Sequence, residues 1–262
     1  MDIFLVIGIV VGVLSVVVGM IVKGANVAVL INPAAAIIVL VGTVAAVMNS
    51  YPKNEFLNAA RITKKLFEGD TGQDSISIVE EIVEVARMTR KDGLLSIEDK
   101  IEGMENKFMK LGLELVVDGA DPEYVRDILT TEIDSTEERH RGCSMIFSTA
   151  GSSAPTLGVL GAVIGLIGAL GNLDDTEMLA HMISAAFVAT LYGIFFGYVI
   201  CHPFANRLKR KSNDEINNMY LILEGVLAVQ EGMNPNLIQK KLLSMVQPSD
   251  KLRFLESKQG EK

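Results

Sequence analysis

The chain has no tryptophan, only two cysteines and three histidines, and seven prolines in 262 residues. Cys143 and Cys201 show no CxxC or metal-ligand spacing, and both fall near the expected cytosolic ends of apolar runs, where a reducing compartment keeps thiols free. A Gly-rich phosphate loop, a Ser/His/Asp set and a metal cluster are also missing. No catalytic residue, no metal ligand and no cofactor are therefore expected, and the chain does not read as an enzyme. A net charge of −8 argues against nucleic acid as a partner. Strand alternation, low-complexity tracts and soluble-type repeats are absent, so the chain reads as all-helical.

The most informative absence is local. Four long apolar runs, Ile3 to Val22, Val29 to Met48, Met145 to Leu170 and Met178 to Cys201, hold no Asp, Glu, Lys or Arg. Each matches the roughly 20 helical residues that cross a bilayer. The expected fold is an all-α membrane protein with transmembrane helices 1 and 2 in residues 1–50 and helices 3 and 4 in residues 145–204. A helical cytoplasmic domain, residues 51–144, is inserted between spans two and three, and residues 205–262 form a helical cytoplasmic C-terminal tail. The opening Met-Asp-Ile-Phe lacks the basic start of a secretory signal, so the first span is expected to stay on the protein.

Orientation follows from basic residues near the span ends. Lys53, Arg61, Lys64 and Lys65 follow span two, Arg139 and Arg141 precede span three, and Arg207, Lys209, Arg210 and Lys211 follow span four. The loop around Lys23 has one basic residue and the loop from Gly171 to Glu177 has none. The large middle segment and both termini are thus expected in the cytoplasm.

Amphipathic spacing predicts helices over Asn54 to Glu68 and Ser75 to Lys91, an interruption at Gly93, and further helices through Ile97 and Ile101 and through Phe108 to Val116. Asp121-Pro122-Glu123 reads as an N-cap with proline in the first turn, opening a helix that runs unbroken from Tyr124 into span three. Asn213 to Gln230 and Asn236 to Met245 read as tail helices, and the charged end from Gln247 as frayed.

Small residues form a seam on span three at Gly151, Ala154, Gly158, Gly161, Gly165 and Gly168. Span one has Gly8, Gly12, Ser15 and Gly19, and span four has Ala186, Thr190, Gly193 and Gly197. Such seams let helix backbones approach closely in lipid, and three of them in four spans suggest an oligomer. The other face of span three stacks hydroxyls at Thr149, Ser152 and Thr156, with Ser153 beside them. They either bond back to their own helix or flank a polar route. Pro155 favours the route, since it frees a backbone carbonyl near the membrane centre, and Thr190 lies at comparable depth in span four. Hydroxyls do not titrate near neutral pH, so an ion carrier is expected as an acid on a partner helix. His181 and His202, at opposite margins of span four, read as interfacial anchors.

Four stretches together resemble the MotA family of flagellar motor stator proteins, within the wider MotA/TolQ/ExbB group of rotary proton-channel subunits. They are Arg90-Lys91-Asp92-Gly93-Leu94-Leu95-Ser96-Ile97-Glu98, Ser153-Ala154-Pro155-Thr156-Leu157-Gly158, Thr190-Leu191-Tyr192-Gly193, and His202-Pro203-Phe204-Ala205-Asn206-Arg207-Leu208-Lys209. The resemblance implies a homo-pentamer around a dimer of single-span MotB chains, whose aspartate carries the ion, in the bacterial inner membrane and in contact with its lipid. Ion flow would turn the ring and drive the rotor protein FliG. By position, Arg90 and Glu98 become rotor-facing charges, Pro155 and Pro203 torque-coupling prolines, and Thr156 and Thr190 lining positions of the ion route. Without the resemblance Arg90 and Glu98 read as solvated surface charges, and Pro203 as a helix stop just past the membrane.

The nearest rival is an ExbB/TolQ-like energiser of outer-membrane processes, but the resemblance gives those proteins three spans and no counterpart of the Arg90 to Glu98 stretch. A substrate transporter would show broken helices or an inverted repeat, for which only Pro155 and Asn32-Pro33 speak. The transported ion is expected to be a proton. Ala189 stands where sodium-using members of the family tend to have a further hydroxyl, and a sodium-driven stator is the alternative.

Overall fold

The computed structural model describes residues 3–59 and 74–260, with side chains to residue 256. Arg61, Lys64, Lys65 and the second half of the helix predicted over Asn54 to Glu68 lie outside the described residues; 53–59 are helical. No strand occurs among the described residues. The chain divides into two units, one of Met1–Asp70 with His140–Arg210 and one of Thr71–Arg139 with Lys211–Lys262.

The first unit holds the apolar segments. α1 (Ile3–Val22) is a single helix. The second span, expected as one helix from Val29 to Met48, is broken instead. A 3₁₀ turn (Val27–Leu30) leads to α2 (Pro33–Ala36), a π turn (Ile37–Val41) and α3 (Gly42–Ser50). The break has a local cause. Pro33 cannot continue a helix from before it but is preorganised to start one, and the Asn32 side chain accepts the Ala35 N–H at 3.0 Å as its cap. Beyond the π turn, the Thr43 hydroxyl donates to the Val39 carbonyl at 2.6 Å, on the same oxygen that accepts the Gly42 N–H.

The second unit has one large core. α4 (Ser75–Asp92) buries Ile78, Ile82 and Ala86 on one stripe, and ends at Gly93, whose φ of +87° suits glycine. A 3₁₀ turn (Leu94–Ile97), α5 (Glu98–Glu102) and α6 (Lys107–Val117) follow, and Asn106 caps α6 by accepting the Phe108 and Met109 N–H groups. α7 (Pro122–Leu170) starts as expected, with the Asp121 carboxylate accepting the Glu123 N–H at 2.9 Å, and its 49 residues contribute to both units. Close crossings mark this core: a Cβ on Gly112 would stand 3.1 Å from Leu129 and Val226, and one on Gly225 would stand 2.5 Å from Ile82.

α8 (Thr176–Phe195) passes through a π turn (Phe196–Cys201) into α9 (His202–Gln230), followed by α10 (Pro235–Leu243) and α11 (Pro248–Gly260). Two expectations change here. Pro203 does not stop the helix: it follows a π turn with i−5 bonding, the His202 N–H on the Gly197 carbonyl, and stands in the first turn of α9, where a helix tolerates proline. The chain end is helical, with Phe254 buried in the core of the second unit, where a frayed tail was expected.

Four segments are long and apolar enough to cross a membrane: Ile3–Val22, Val27–Ser50, and windows within Pro122–Leu170 and Thr176–Gln230. Their outward side chains fit lipid. Phe4, Ile37, Ile167 and Phe187 are all more than 60% exposed in the isolated chain.

Candidate functional site

The seam expected on span three meets the seam of span four within one chain. A Cβ on Gly158 would lie 2.9 Å from the Ala189 carbonyl oxygen and 3.1 Å from Gly193 Cα. One on Gly161 would lie 2.8 Å from Ala189 Cβ, and one on Gly165 2.9 Å from Ala186 Cβ. From Gly193 it would stand 2.5 Å from the Ala154 carbonyl. Rising numbers on one helix face falling numbers on the other, so the two run antiparallel at backbone distance. These glycines are accounted for by a neighbour in the same chain, and they carry no argument for an oligomer. On span one, Gly12 meets Val199 and Phe195, whereas Gly8 and Gly19 have nothing within 4 Å.

Pro155 is half-buried in this seam. Lacking an N–H, it leaves the Gly151 carbonyl, four residues back, without its helical donor. Gly197 closes on that spot. A Cβ there would stand 2.6 Å from the Gly151 oxygen and 3.0 Å from two Pro155 ring carbons. Gly197 belongs to the π turn, which Pro203 follows at an exposed position.

The hydroxyls divide. Ser152 donates to the Ser148 carbonyl at 3.0 Å, Thr156 to the Ser152 carbonyl at 3.4 Å, and Thr190 to the Ala186 carbonyl at 3.4 Å. Thr156 and Thr190 each bond back to their own helix rather than to each other; Thr156 is exposed and Thr190 half-buried. Thr149 differs, with its hydroxyl 2.7 Å from that of Tyr51 at the end of span two. A second tyrosine, Tyr192, donates to the Leu30 carbonyl at the break in span two. Sequence reading passed over both tyrosine contacts, because a tyrosine at a span end reads as an interfacial anchor and one inside a span gives no sign of its partner.

Arg90 and Glu98 lie in the second unit. Arg90 is in the last turn of α4 and Glu98 in the first turn of α5, both exposed, with Gly93 and the 71%-exposed Leu95 between them. Elsewhere in that unit Glu224 accepts from Lys241 at 2.6 Å and Arg126 at 3.1 Å, joining α9, α10 and α7. Burial pushes the Glu224 carboxyl up, but the hydrogen bonds and charges of Lys241 and Arg126 outweigh it and hold the group below its usual range.

Residues 100–220 match the MotA/TolQ/ExbB proton channel family. Motility protein A of Bacillus subtilis is 46% identical over 255 residues, covering 97% of this chain and 94% of that protein. The chain is a MotA-type member of the MotA/TolQ/ExbB proton channel family. The likeness extends to solved structures: a chain of the flagellar MotAB stator complex from Bacillus subtilis superposes with a TM-score of 0.89 at 45% identity, covering 95% of this chain and 98% of that one. A chain of C. jejuni MotAB gives 0.90 at 31% identity, covering 95% and 97%. This MotA-type chain is a multi-pass membrane protein of a channel family, which sets it apart from enzymes.

Proposed function

We propose that the chain is the ring-forming subunit of a flagellar stator, which together with a single-span MotB partner converts ion flow into torque on the rotor protein FliG. The observation that carries this is the full-length likeness, at 45% identity, to a chain of the Bacillus subtilis MotAB stator complex. The content of the spans supports it. They hold hydroxyls, freed carbonyls and close-packed glycines but no Asp, Glu, Lys or Arg, so the subunit needs a partner's carboxylate to carry an ion.

In this reading five copies surround two MotB chains in the inner membrane, with both termini and residues 51–144 and 205–262 in the cytoplasm, as the flanking Lys and Arg argue. Each proton passing Thr156 and Thr190 neutralises the MotB aspartate and changes what the Pro155 region must solvate. One charge crossing 100 mV releases about 2.3 kcal/mol, enough to bias a packed element between two arrangements. The ring steps, and Arg90 and Glu98 engage the rotor. The proton is favoured over sodium because buried Ala189 stands where sodium-using members of the family tend to have a further hydroxyl.

Co-expression with a MotB-type partner and reconstitution in liposomes test the reading. The pair should co-purify and conduct protons on activation, while the chain alone stays closed. Selective cation flux through the chain alone, or failure to bind the partner, would overturn it.

A further inference from the structure

We infer that Tyr51 is a further residue of the ion route, its hydroxyl taking the proton from Thr149 at the end of the line formed by Thr156, Ser152 and Thr149. The inference rests on the proposed channel reading and adds a station that the apolar spans by themselves do not announce.

Three hydroxyls step down one face of α7, at positions 156, 152 and 149. Ser152 and Thr156 donate to carbonyls of their own helix. Thr149 alone of the three hands its hydroxyl to another element, at 2.7 Å from the Tyr51 oxygen, where either group can donate. Tyr51 is the residue at which α3 ends, its backbone already extended at φ −132° and ψ 146°. Its ring packs on the cluster of Val47, Ala59 and Ile146, so the phenol is held by apolar contacts while its hydroxyl is left for Thr149. Lys53, two residues on, is the first basic residue after the span, so Tyr51 stands where the route meets water.

The step balances without charging either side chain. A proton delivered to the Thr149 oxygen by water in the route allows that hydroxyl to pass its own proton across to Tyr51, while Tyr51 releases its phenolic proton to water on the far side. Both groups end neutral, with their hydrogen bond reversed. No deprotonated tyrosine is needed.

The alternative is that the bond only ties span two to span three. Tyr51→Phe separates the two, because it keeps the ring packing and deletes one oxygen; Thr149→Val does the same from the other side. Each variant, and the double variant, is reconstituted with the single-span partner in liposomes, and proton flux is normalised to assembled complex. Flux in each single variant should fall about tenfold, less than positioned proton transfer typically supplies because water takes over part of the step. The double variant should be no worse than either single, since all three remove the same transfer. Unchanged normalised flux in both single variants, with or without a lower melting temperature, overturns the inference and leaves the channel reading standing. A parent complex that conducts no protons overturns both.

Discussion

Gly197 lies against the carbonyl oxygen of Gly151, so close that a Cβ at Gly197 would stand 2.6 Å from it. That oxygen is the one to which Pro155 offers no N–H. Proline and glycine are thus two parts of one contact: the ring opens the ladder of span three, and the missing side chain lets the wide turn of span four cover the gap.

Replacing Gly197 with Ala should therefore cost more than its one methyl suggests. The obstacle is backbone, which cannot swing aside, and overpacking of this kind typically costs about 1–3 kcal/mol. Gly8→Ala is the control, since nothing lies within 4 Å of it. Thermal unfolding in detergent, followed by size-exclusion recovery, should show the loss for Gly197→Ala and none for Gly8→Ala.

The same contact marks what was legible beforehand. The apolar runs, the cap at Asp121-Pro122 and the break at Gly93 are local signals, and the structure follows them except in span two, which breaks at Asn32-Pro33. Glycine spacing located the seam but not its partner, because a stripe of small residues reads alike whether it meets the same chain or another copy. The π turns carry no periodic signature. Pro203 read as a stop because a wide turn ahead of it changes which carbonyl is left over, and that is a property of the folded helix. Thr149 and Tyr51 are 98 positions apart in sequence, beyond any spacing argument.

Glu224 provides a pH test in the second unit. Its folded-state pKa is lowered, so the stabilisation is present above the unfolded carboxylate value of about 4.3 and is lost as pH falls through the lower, folded value. Glu224→Gln should lower the melting temperature at pH 7 by roughly 2–4 °C, corresponding to about 1 kcal/mol for an ion network that is partly exposed. The deficit should shrink toward acid pH. A constant offset from pH 7 down to the onset of acid unfolding would show that packing, not charge, is responsible.

Arg90 and Glu98 flank the Gly93 break as exposed groups, so reversing either should leave stability within about 0.5 kcal/mol of the parent. Under the proposed function, Arg90→Glu impairs torque while proton conduction through the assembled complex is unchanged. Interfacial charges act through association and register, so the residual torque should depend on salt. Tethered-cell rotation measured beside liposome flux checks this, and a loss of flux would remove Arg90 from the rotor interface.

Pro203 sits at the exit of the π turn in span four, exposed and without a donor for the carbonyls before it. With alanine there, an N–H returns and the ladder can close in ordinary i−4 register, which removes the extra residue of the wide turn and rotates the two sides of the helix by about 100°. Cys201, 3% exposed inside that turn, reports the change. In a Cys143→Ser background, Pro203→Ala should keep assembly, lose torque and turn the protected Cys201 thiol reactive toward a maleimide. If torque is lost while Cys201 stays protected, the proline acts at a surface outside the seam, and the wide turn is not what it maintains.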